Sequence, residues 1–300
     1  MQDWKRNKAS FGAISLGPVL WLAVFFLAPL AIVWAYSFGR NAGLTEIDIS
    51  GTFANYARAL EPLYLEIFGK SVAVAAITTA ICLVVGFPIA LGITFASPRA
   101  RPWMLLAIML PFWTNLLIRT YALITVLRTE GYVNKSLGWL WESASGLKAL
   151  IGLAPLSTWE PLPLLYNNFA VIFGLVYVHL PFMVLPLYAA LDRLDKSLIE
   201  ASLDLGAGHF RTITQIVAPL AAPGIISGII ITFVPALGAY LTPDLMGGPD
   251  SQMIANVIER QFKRANDWPF GAALSFLLMY ATFILIALQA LRNRKAETRA

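Results

Sequence analysis

The sequence predicts an all-α polytopic membrane protein with six transmembrane helices. Its 300 residues are 58% hydrophobic and only 13% charged, whereas a soluble domain carries about 25% charged residues. The mean hydropathy is +0.68. Six stretches are apolar and long enough to cross a bilayer as helices. This composition excludes an ordinary soluble enzyme, a disordered chain and a nucleic-acid-binding domain.

The six apolar stretches alternate with polar loops along the whole chain. A span needs about 20 apolar residues in a helix, because lipid offers no partner to an unpaired backbone amide. The first stretch follows Lys5, Arg6 and Lys8 as a signal peptide would, but its apolar run is much longer than a signal sequence requires, so we interpret it as a retained span. The predicted spans cover residues 12–38, 71–96, 102–127, 169–190, 217–241 and 271–291.

The distribution of lysine and arginine predicts that both termini face the cytoplasm. Basic residues accumulate in short cytoplasmic loops of membrane proteins. Here twelve of them fall in four short segments on one side, whereas nine are spread over three longer loops on the other. The twelve are Lys5, Arg6, Lys8, Arg99, Arg101, Arg193, Lys196, Arg211, Arg292, Arg294, Lys295 and Arg299.

The spans contain no chemistry typical of an enzyme or an ion-coupled carrier. No aspartate or glutamate lies well inside a predicted span, although proton- and sodium-coupled carriers commonly place one there. An intramembrane enzyme, the alternative of a different class, would need a nucleophile with its base, paired aspartates or an H-E-x-x-H motif, and none is present. With a single cysteine, Cys82, and only His179 and His209, the chain also predicts no disulfide and no metal site.

The segment between the fourth and fifth spans predicts a helical hairpin. Ser197 and Glu200 have the S-x-x-E spacing of a capping box at a helix start. A helix from there places Leu198, Ala201, Ser202 and Leu205 along one stripe. Gly206 and Gly208 would then allow a tight turn where a β-carbon is costly. Considered alone, the pattern is equally consistent with a purely structural hairpin.

The same segment resembles the EAA loop of permease subunits of binding-protein-dependent ABC importers. The family pattern is E-A-A, three residues, G, nine residues, I, one residue and L-P, and this chain matches it at Glu200, Ala201, Gly206, Ile216 and Pro219. It departs from the pattern in having Ser202 where alanine is usual and Ala218 where leucine is usual. Both replacements are small, so the hairpin should still form.

This resemblance implies the type I ABC importer permease fold, with a cytoplasmic coupling helix that docks into a separate ATPase. The implied coupling residues are Glu200, Ala201, Ser202, Gly206, Ala207 and Pro219. The chain has no G-x-x-x-x-G-K-[ST] loop, so it should hold no cofactor and ATP should be bound by the partner. The implied partners are two ATPase subunits, a second and related permease, and a periplasmic solute-binding protein. The implied organisation is a first span with its outer loop (1–66), a transmembrane domain (67–291, coupling loop 191–219) and a tail (292–300).

Three further blocks narrow the resemblance to the first permease subunit of bacterial spermidine/putrescine importers. They are PFWTNLLIRTY at 111–121, DLMGG at 244–248 and DWPFG at 267–271. The resemblance implies a bacterial inner-membrane protein without catalytic activity that carries polyamines. The same importer class carrying an opine, an amino-acid-like compound or another small solute stays open as an alternative.

Candidate residues of the substrate pathway lie in or near the third to fifth spans. Aromatic rings attract ammonium groups, and a carboxylate at the outer mouth of the fifth span would do the same. Arg119, inside the third span, opposes this because its positive charge repels a polycation. The alternative role is a structural contact with Asn115, one helical turn back, or with carbonyls of a neighbouring helix. His179 is more typical of a local hydrogen bond than of a proton relay. The candidates are Trp113, Asn115, Arg119, Tyr121, Tyr177, Tyr240 and Asp244.

Overall fold

The structure, a computed structural model, describes residues 8–43, 46–150, 154 and 157–297. Lys5, Arg6 and Arg299, which contribute to the predicted charge asymmetry, lie outside these residues. The helices are α1 (Lys8–Leu22), α2 (Ala28–Tyr36), α3 (Ala54–Ala59), α4 (Pro62–Phe95), α5 (Arg101–Met109), α6 (Leu116–Leu127), α7 (Tyr132–Leu150), α8 (Asn168–Leu191), α9 (Lys196–Asp204), α10 (His209–Thr212), α11 (Ala218–Leu220), α12 (Ala222–Leu237), α13 (Leu241–Met246), α14 (Ile254–Lys263) and α15 (Trp268–Glu297). Two short strands, β1 (Arg40–Asn41) and β2 (Ile47–Asp48), form an antiparallel hairpin.

Four helices are long and apolar enough to cross a membrane without a break. The first, Ile14–Tyr36, joins α1 to α2 through the π-helical turn Ala23–Leu27 and confirms the first predicted span. The others are Pro62–Phe95, Asn168–Leu191 and Trp268–Ala287, which confirm the second, fourth and sixth spans. The second begins nine residues earlier than predicted, because the polar residues of its first turns do not interrupt the helix.

The third predicted span, 102–127, is wrong as a single helix. The segment Arg101–Trp113 and the segment Leu116–Lys148 meet at 96°. Leu110–Trp113 tightens into a 3-10 turn that contains Pro111, and Thr114 is then extended, with ψ 147°. Asn115 caps the next helix by accepting a hydrogen bond from the Leu117 amide at 2.8 Å. The chain therefore breaks where a proline and an N-cap residue stand four positions apart.

The fifth predicted span, 217–241, is also bent, by 72° between His209–Leu220 and Ala222–Leu237. The bend lies at Ala221, whose backbone is outside the helical region at φ −81° and ψ 1°. Pro223 has no amide hydrogen to donate to the carbonyl of Pro219, so the helix cannot continue unbroken through this point. If each bent pair counts as one span, the described residues contain the six predicted spans.

The chain divides into two compact units, of which residues 66–256 form the larger. Its core lies where α4, α8 and the start of α12 meet, and it includes Cys82, Ile93, Met183, Leu187 and Val217. Cys82 is fully buried, with its sulfur 3.7 Å from the carbonyl oxygen of Val176, which confirms that it packs. The helices approach closely because glycines face neighbouring backbone, a common device of membrane helices.

Residues 1–65 and 257–300 form the second unit. The β-hairpin pairs Arg40 with Asp48 and Asn41 with Ile47. Arg58, on α3, forms an ion pair of 2.7 Å with Asp267 at the start of α15. These contacts tie the segment after α2 to the end of the loop before α15.

Candidate functional site

The predicted hairpin between the fourth and fifth spans is present and consists of α9, a glycine-containing turn and α10. After α10 the chain continues through the π-helical turn Ile213–Val217 and α11 into the bend at Ala221. The hairpin is thus continuous with a membrane helix at one end. A displacement of α9 would act directly on the bent fifth span.

The predicted capping box at Ser197 and Glu200 is wrong, because α9 begins at Lys196. The cap is Asp195, whose carboxylate accepts a hydrogen bond from the Ser197 amide at 3.0 Å. This bond and one from the Ser197 side chain lower the pKa of Asp195. Aspartate is among the best N-cap residues, and its negative charge interacts favourably with the positive N-terminal end of the helix dipole. Ser197 therefore lies inside the first turn.

We expect Asp195→Ala to loosen the start of α9, with a pH dependence that identifies the cause. Since folding lowers the pKa, the carboxylate stabilises the hairpin fully above the ordinary pKa of 3.8 and loses this effect as the pH falls through the lowered value. Hydrogen exchange of the α9 amides should be faster in Asp195→Ala than in wild type at neutral pH. The difference should shrink in acid, whereas Asp195→Asn, which keeps a capping oxygen, should stay close to wild type at neutral pH. Equal exchange in all three proteins would contradict the capping role.

A Schellman motif with Gly206 ends α9. This confirms the predicted turn at Gly206. Its φ is +83°, in the left-handed region that glycine adopts without strain. The Ala207 amide donates to the Ser202 carbonyl at 3.1 Å, and the Gly206 amide donates to the Leu203 carbonyl at 2.9 Å. These are the two bonds that define this helix ending. The predicted role of Gly208 is wrong, since its φ of −71° and ψ of 155° suit any residue.

Ser202 holds the two arms of the hairpin together. Its hydroxyl lies 3.0 Å from the hydroxyl of Thr212 on α10, and both side chains are buried. The predicted stripe is therefore corrected: Ser202 faces inward, whereas Leu198, Ala201 and Leu205 face outward. Serine at the position where alanine is usual adds a hydrogen bond between the arms, which the resemblance alone did not indicate.

The outward side of the hairpin combines apolar side chains with two exposed acids, Glu200 and Asp204. Glu200 and Ala201 are exposed, Leu205 is 89% exposed and Phe210 is 80% exposed. Such exposed apolar side chains are typical of a surface that a partner covers. Sequence reasoning missed Phe210, although an aromatic residue just after a glycine turn in a polar loop was a usable signal. Of the remaining predicted residues, Ala207 is half-buried and Pro219 is exposed on α11.

An apolar cavity of about 410 Å³ lies against the inner side of the hairpin. Leu91 and Phe95 at the end of α4 line it from one side, and Leu203, His209 and Val217 line it from the other. The hairpin therefore borders the membrane helices along an apolar surface. Ile199 of α9 also packs against the core cluster that contains Leu187 and Val217, and the Lys196 ammonium lies 5.8 Å from the centre of the Phe95 ring.

Three of the predicted pathway residues meet at the break of the third span. Asn115 caps α6, and Arg119 lies one turn later with 8% exposure. The Arg119 guanidinium donates through Nη2 to the Thr114 carbonyl at 2.9 Å and lies 6.0 Å from the centre of the Tyr177 ring. Its Nε has no hydrogen-bond partner among the described residues. This contact is structural, although the carbonyl belongs to the turn before α6 and not to a neighbouring helix.

The other predicted pathway residues are mostly exposed. Trp113 and Tyr121 are 72% and 56% exposed on the two sides of the break. Tyr240 immediately precedes α13, and Asp244 lies one turn later, with its amide donating to the Tyr240 carbonyl at 3.0 Å. Exposed rings in or near the spans leave aromatic surface for a solute, lipid or partner chain.

The remaining chemical candidate, His179, has a structural contact. His179 is buried, and its Nδ1 lies 2.8 Å from the Leu175 carbonyl oxygen one turn back, which confirms the predicted local hydrogen bond. No group of three or more potential metal-ligating side chains occurs among the residues that the structure describes.

Comparison with known proteins identifies a family and several relatives of this chain. Residues 83–297 match the family described as binding-protein-dependent transport system inner membrane component. The chain is 40% identical over 281 residues to the spermidine/putrescine transport system permease protein PotB of Escherichia coli, with 92% of this chain and 97% of that protein covered. The PotB protein of Haemophilus influenzae is 37% identical over 92% of this chain and 93% of its own length.

A solved structure shares the fold at low sequence identity. It is a bacterial alginate ABC transporter in complex with an alginate pentasaccharide-bound periplasmic protein. One of its chains matches with a TM-score of 0.68 at 17% identity, over 98% of this chain and 97% of that one.

Proposed function

Because this chain belongs to the binding-protein-dependent transport system inner membrane component family, we propose that it forms half of the translocation pathway of an ATP-driven polyamine importer. It is a multi-pass inner-membrane protein and the non-catalytic permease subunit of an ABC importer. The observation that carries the choice of cargo is 37–40% identity to permeases named for spermidine and putrescine, over more than nine-tenths of both chains.

Coupling to the ATPase takes place through the hairpin in this proposal. Glu200, Ala201 and Leu205 present an exposed, mostly apolar face, and the Schellman ending at Gly206 fixes the direction in which the chain leaves it. A short capped helix transmits displacement as a rigid body. ATP is bound by two separate ATPase subunits, and nucleotide-driven closure moves the bent fifth span through α10 and α11. Ser202, Ala207 and Pro219 support the hairpin from inside and from its far end.

The remaining organisation follows from the charge distribution and the family. Both termini and the hairpin face the cytoplasm, with the transmembrane domain at 67–291 between the first-span region, 1–66, and the tail, 292–300. A second, related permease completes the pathway, and a periplasmic solute-binding protein delivers the solute. A transporter of the same fold is known in complex with a periplasmic protein, which supports this arrangement.

An opine or amino-acid-like solute is the second candidate cargo. Arg119 favours it, since a buried guanidinium with an unpartnered Nε attracts a carboxylate and repels an ammonium group. Trp113, Tyr121 and Tyr177 favour a polyamine through their ring faces.

Ligand binding by the periplasmic receptor of this assembly decides between the two cargoes. The purified receptor is titrated calorimetrically with putrescine, spermidine and an opine, and the loaded receptor is then added to the complete transporter in nanodiscs. We expect the polyamines to bind and to stimulate ATP hydrolysis. A receptor that binds the opine and ignores both polyamines would refute the polyamine assignment.

A further inference from the structure

The block DWPFG at 267–271 has no role in coupling, yet its side chains are held in a definite arrangement. Asp267 pairs with Arg58 at 2.7 Å, and the Arg58 guanidinium lies 3.9 Å from the centre of the Phe270 ring. Phe270 is fully buried and also contacts the Tyr64 ring edge-to-face. Asp267 and Phe270 are therefore structural, whereas Trp268 is 45% exposed.

Trp268 lines a cavity of about 230 Å³ that lies within the second unit, between the β-hairpin and the start of α15. Tyr36, at the end of α2, adds a second aromatic side chain, and Glu46 adds a carboxylate next to β2. Asn41, Gly43 and Asn266 complete the polar part of the wall. The chain segments that form this cavity lie more than 200 positions apart in the sequence.

Local hydrogen bonds orient the wall. The Trp268 indole donates through Nε1 to the Asn266 side-chain oxygen at 2.9 Å, which sets the plane of the ring. Asn41 donates through Nδ2 to the Asn266 carbonyl and to Asp267 Oδ1, both at 3.4 Å. Because its amide nitrogen is engaged in this way, Asn41 has its side-chain oxygen left to accept from a ligand.

The charge of the cavity is negative. Glu46 is the only charged side chain among the described residues that line it. Within the described part of the chain, no ion pair or hydrogen bond engages the Glu46 carboxylate. The backbone oxygen of Glu46 accepts a hydrogen bond from the Ala42 amide at 2.9 Å. A carboxylate, two aromatic rings and amide oxygens together favour a cation with N–H donors.

The size of the cavity limits what enters it. Pockets that enclose a whole drug-sized ligand measure about 300–1,000 Å³, and this one is smaller. It holds one end group of an elongated molecule and leaves the rest outside.

We propose that this cavity binds a primary alkylammonium group, with Glu46 as the counter-ion and the rings of Tyr36 and Trp268 in cation–π contact with the ammonium. The alkylammonium group is the end of a free polyamine that is entering the pathway, and this part of the inference rests on the proposed function. The site lies in the segments that we place on the outer side of the membrane.

The test uses thiol reagents of opposite charge on variants of this chain with one added cysteine, assembled in the complete transporter. Cys82 is the only cysteine of the chain and is fully buried, so it should stay silent. Gly43→Cys places a thiol in the cavity wall, where a β-carbon meets nothing within 4 Å. Aminoethyl methanethiosulfonate is itself a primary alkylammonium, and sulfonatoethyl methanethiosulfonate is its anionic counterpart. Ser50→Cys, exposed in the loop after β2, is the matched control.

We expect the ratio of cationic to anionic labelling rates to be about tenfold higher at Gly43→Cys than at Ser50→Cys, the factor given by one exposed ion pair and two cation–π contacts. Glu46→Gln in the Gly43→Cys background should remove most of this preference, and putrescine should slow the labelling of Gly43→Cys alone. Equal ratios at the two cysteines would overturn the site. Protection by the receptor but not by putrescine would overturn the assignment to a free ligand. Failure of the polyamine proposal itself is seen in the receptor titration, which does not involve these cysteines.

Discussion

Gly206→Val should reduce solute uptake strongly while leaving the protein in the membrane. Gly206 has a φ of +83°, and a branched side chain in the left-handed region costs about 1–2 kcal/mol. The space around the glycine is empty, with nothing within 4 Å of an added β-carbon. The cost is therefore conformational, and it is relieved only if α9 ends differently and its outward face turns away from the ATPase. Uptake and receptor-stimulated ATP hydrolysis should both fall at least tenfold.

Gly208→Val provides the matched control. This glycine lies two residues later, is equally exposed and has open space around it, but its φ of −71° and ψ of 155° are favourable for valine. The control should keep most of the uptake, and both variants should reach the membrane in wild-type amounts. Gly206→Asn should lie in between, because asparagine tolerates the left-handed region better than valine does. If Gly206→Val transports normally, the coupling role of this turn is refuted.

Gly224→Leu should strongly destabilise the larger unit. Gly224 and Gly228 lie four positions apart on α12 and face α8, in the small-residue spacing that lets membrane helices approach closely. A β-carbon at Gly224 would overlap the Ala190 side chain and lie 2.8 Å from the Pro186 carbonyl oxygen. A backbone oxygen cannot move aside as a side chain does, so we expect a destabilisation of about 3 kcal/mol, the upper part of the usual range for overpacking.

The measurement is the yield and thermal stability of the purified transporter. Gly224→Leu should give little monodisperse protein in size-exclusion chromatography. Gly92→Leu is the control, because this glycine also lies in a membrane helix but has nothing within 4 Å of an added β-carbon. Similar melting temperatures for the two variants would show that the contact between α8 and α12 is looser than the structure indicates.

The two errors in the predicted spans have one physical origin. Lipid requires a long apolar helix, and the residues around Thr114 and Ala221 satisfy that requirement whether or not the helix is straight. Prolines marked both regions, at Pro111 and Pro223, but a proline in a membrane helix is also compatible with a mild kink. The bend angles of 96° and 72° depend on which side chains pack around each break, and the amino-acid composition of a span does not specify that packing.

The hairpin shows how far local signals extend. Gly206 was predicted correctly, because a positive φ at a helix end leaves few alternatives to glycine. The start of α9 was not predicted correctly. Asp195 and Ser197 are both residue types that favour an N-cap, and they stand only two positions apart. The structure has Asp195 in this role, where its carboxylate accepts from the Ser197 amide. The inward orientation of Ser202 depends on Thr212, ten residues away, and no local rule specifies that contact.

The sequence by itself determined that the chain is helical and membrane-embedded, where its spans lie, and that a helical hairpin resembling the EAA loop of importer permeases follows the fourth span. These properties are local, because each depends on hydropathy, charge or a motif within about 30 consecutive residues. Only the tertiary structure decided where the third and fifth spans bend, which face of α9 is exposed, and that Tyr36, Glu46 and Trp268 share one cavity. Those properties depend on contacts between distant segments, whose geometry is set by packing and not by the order of the residues along one helix.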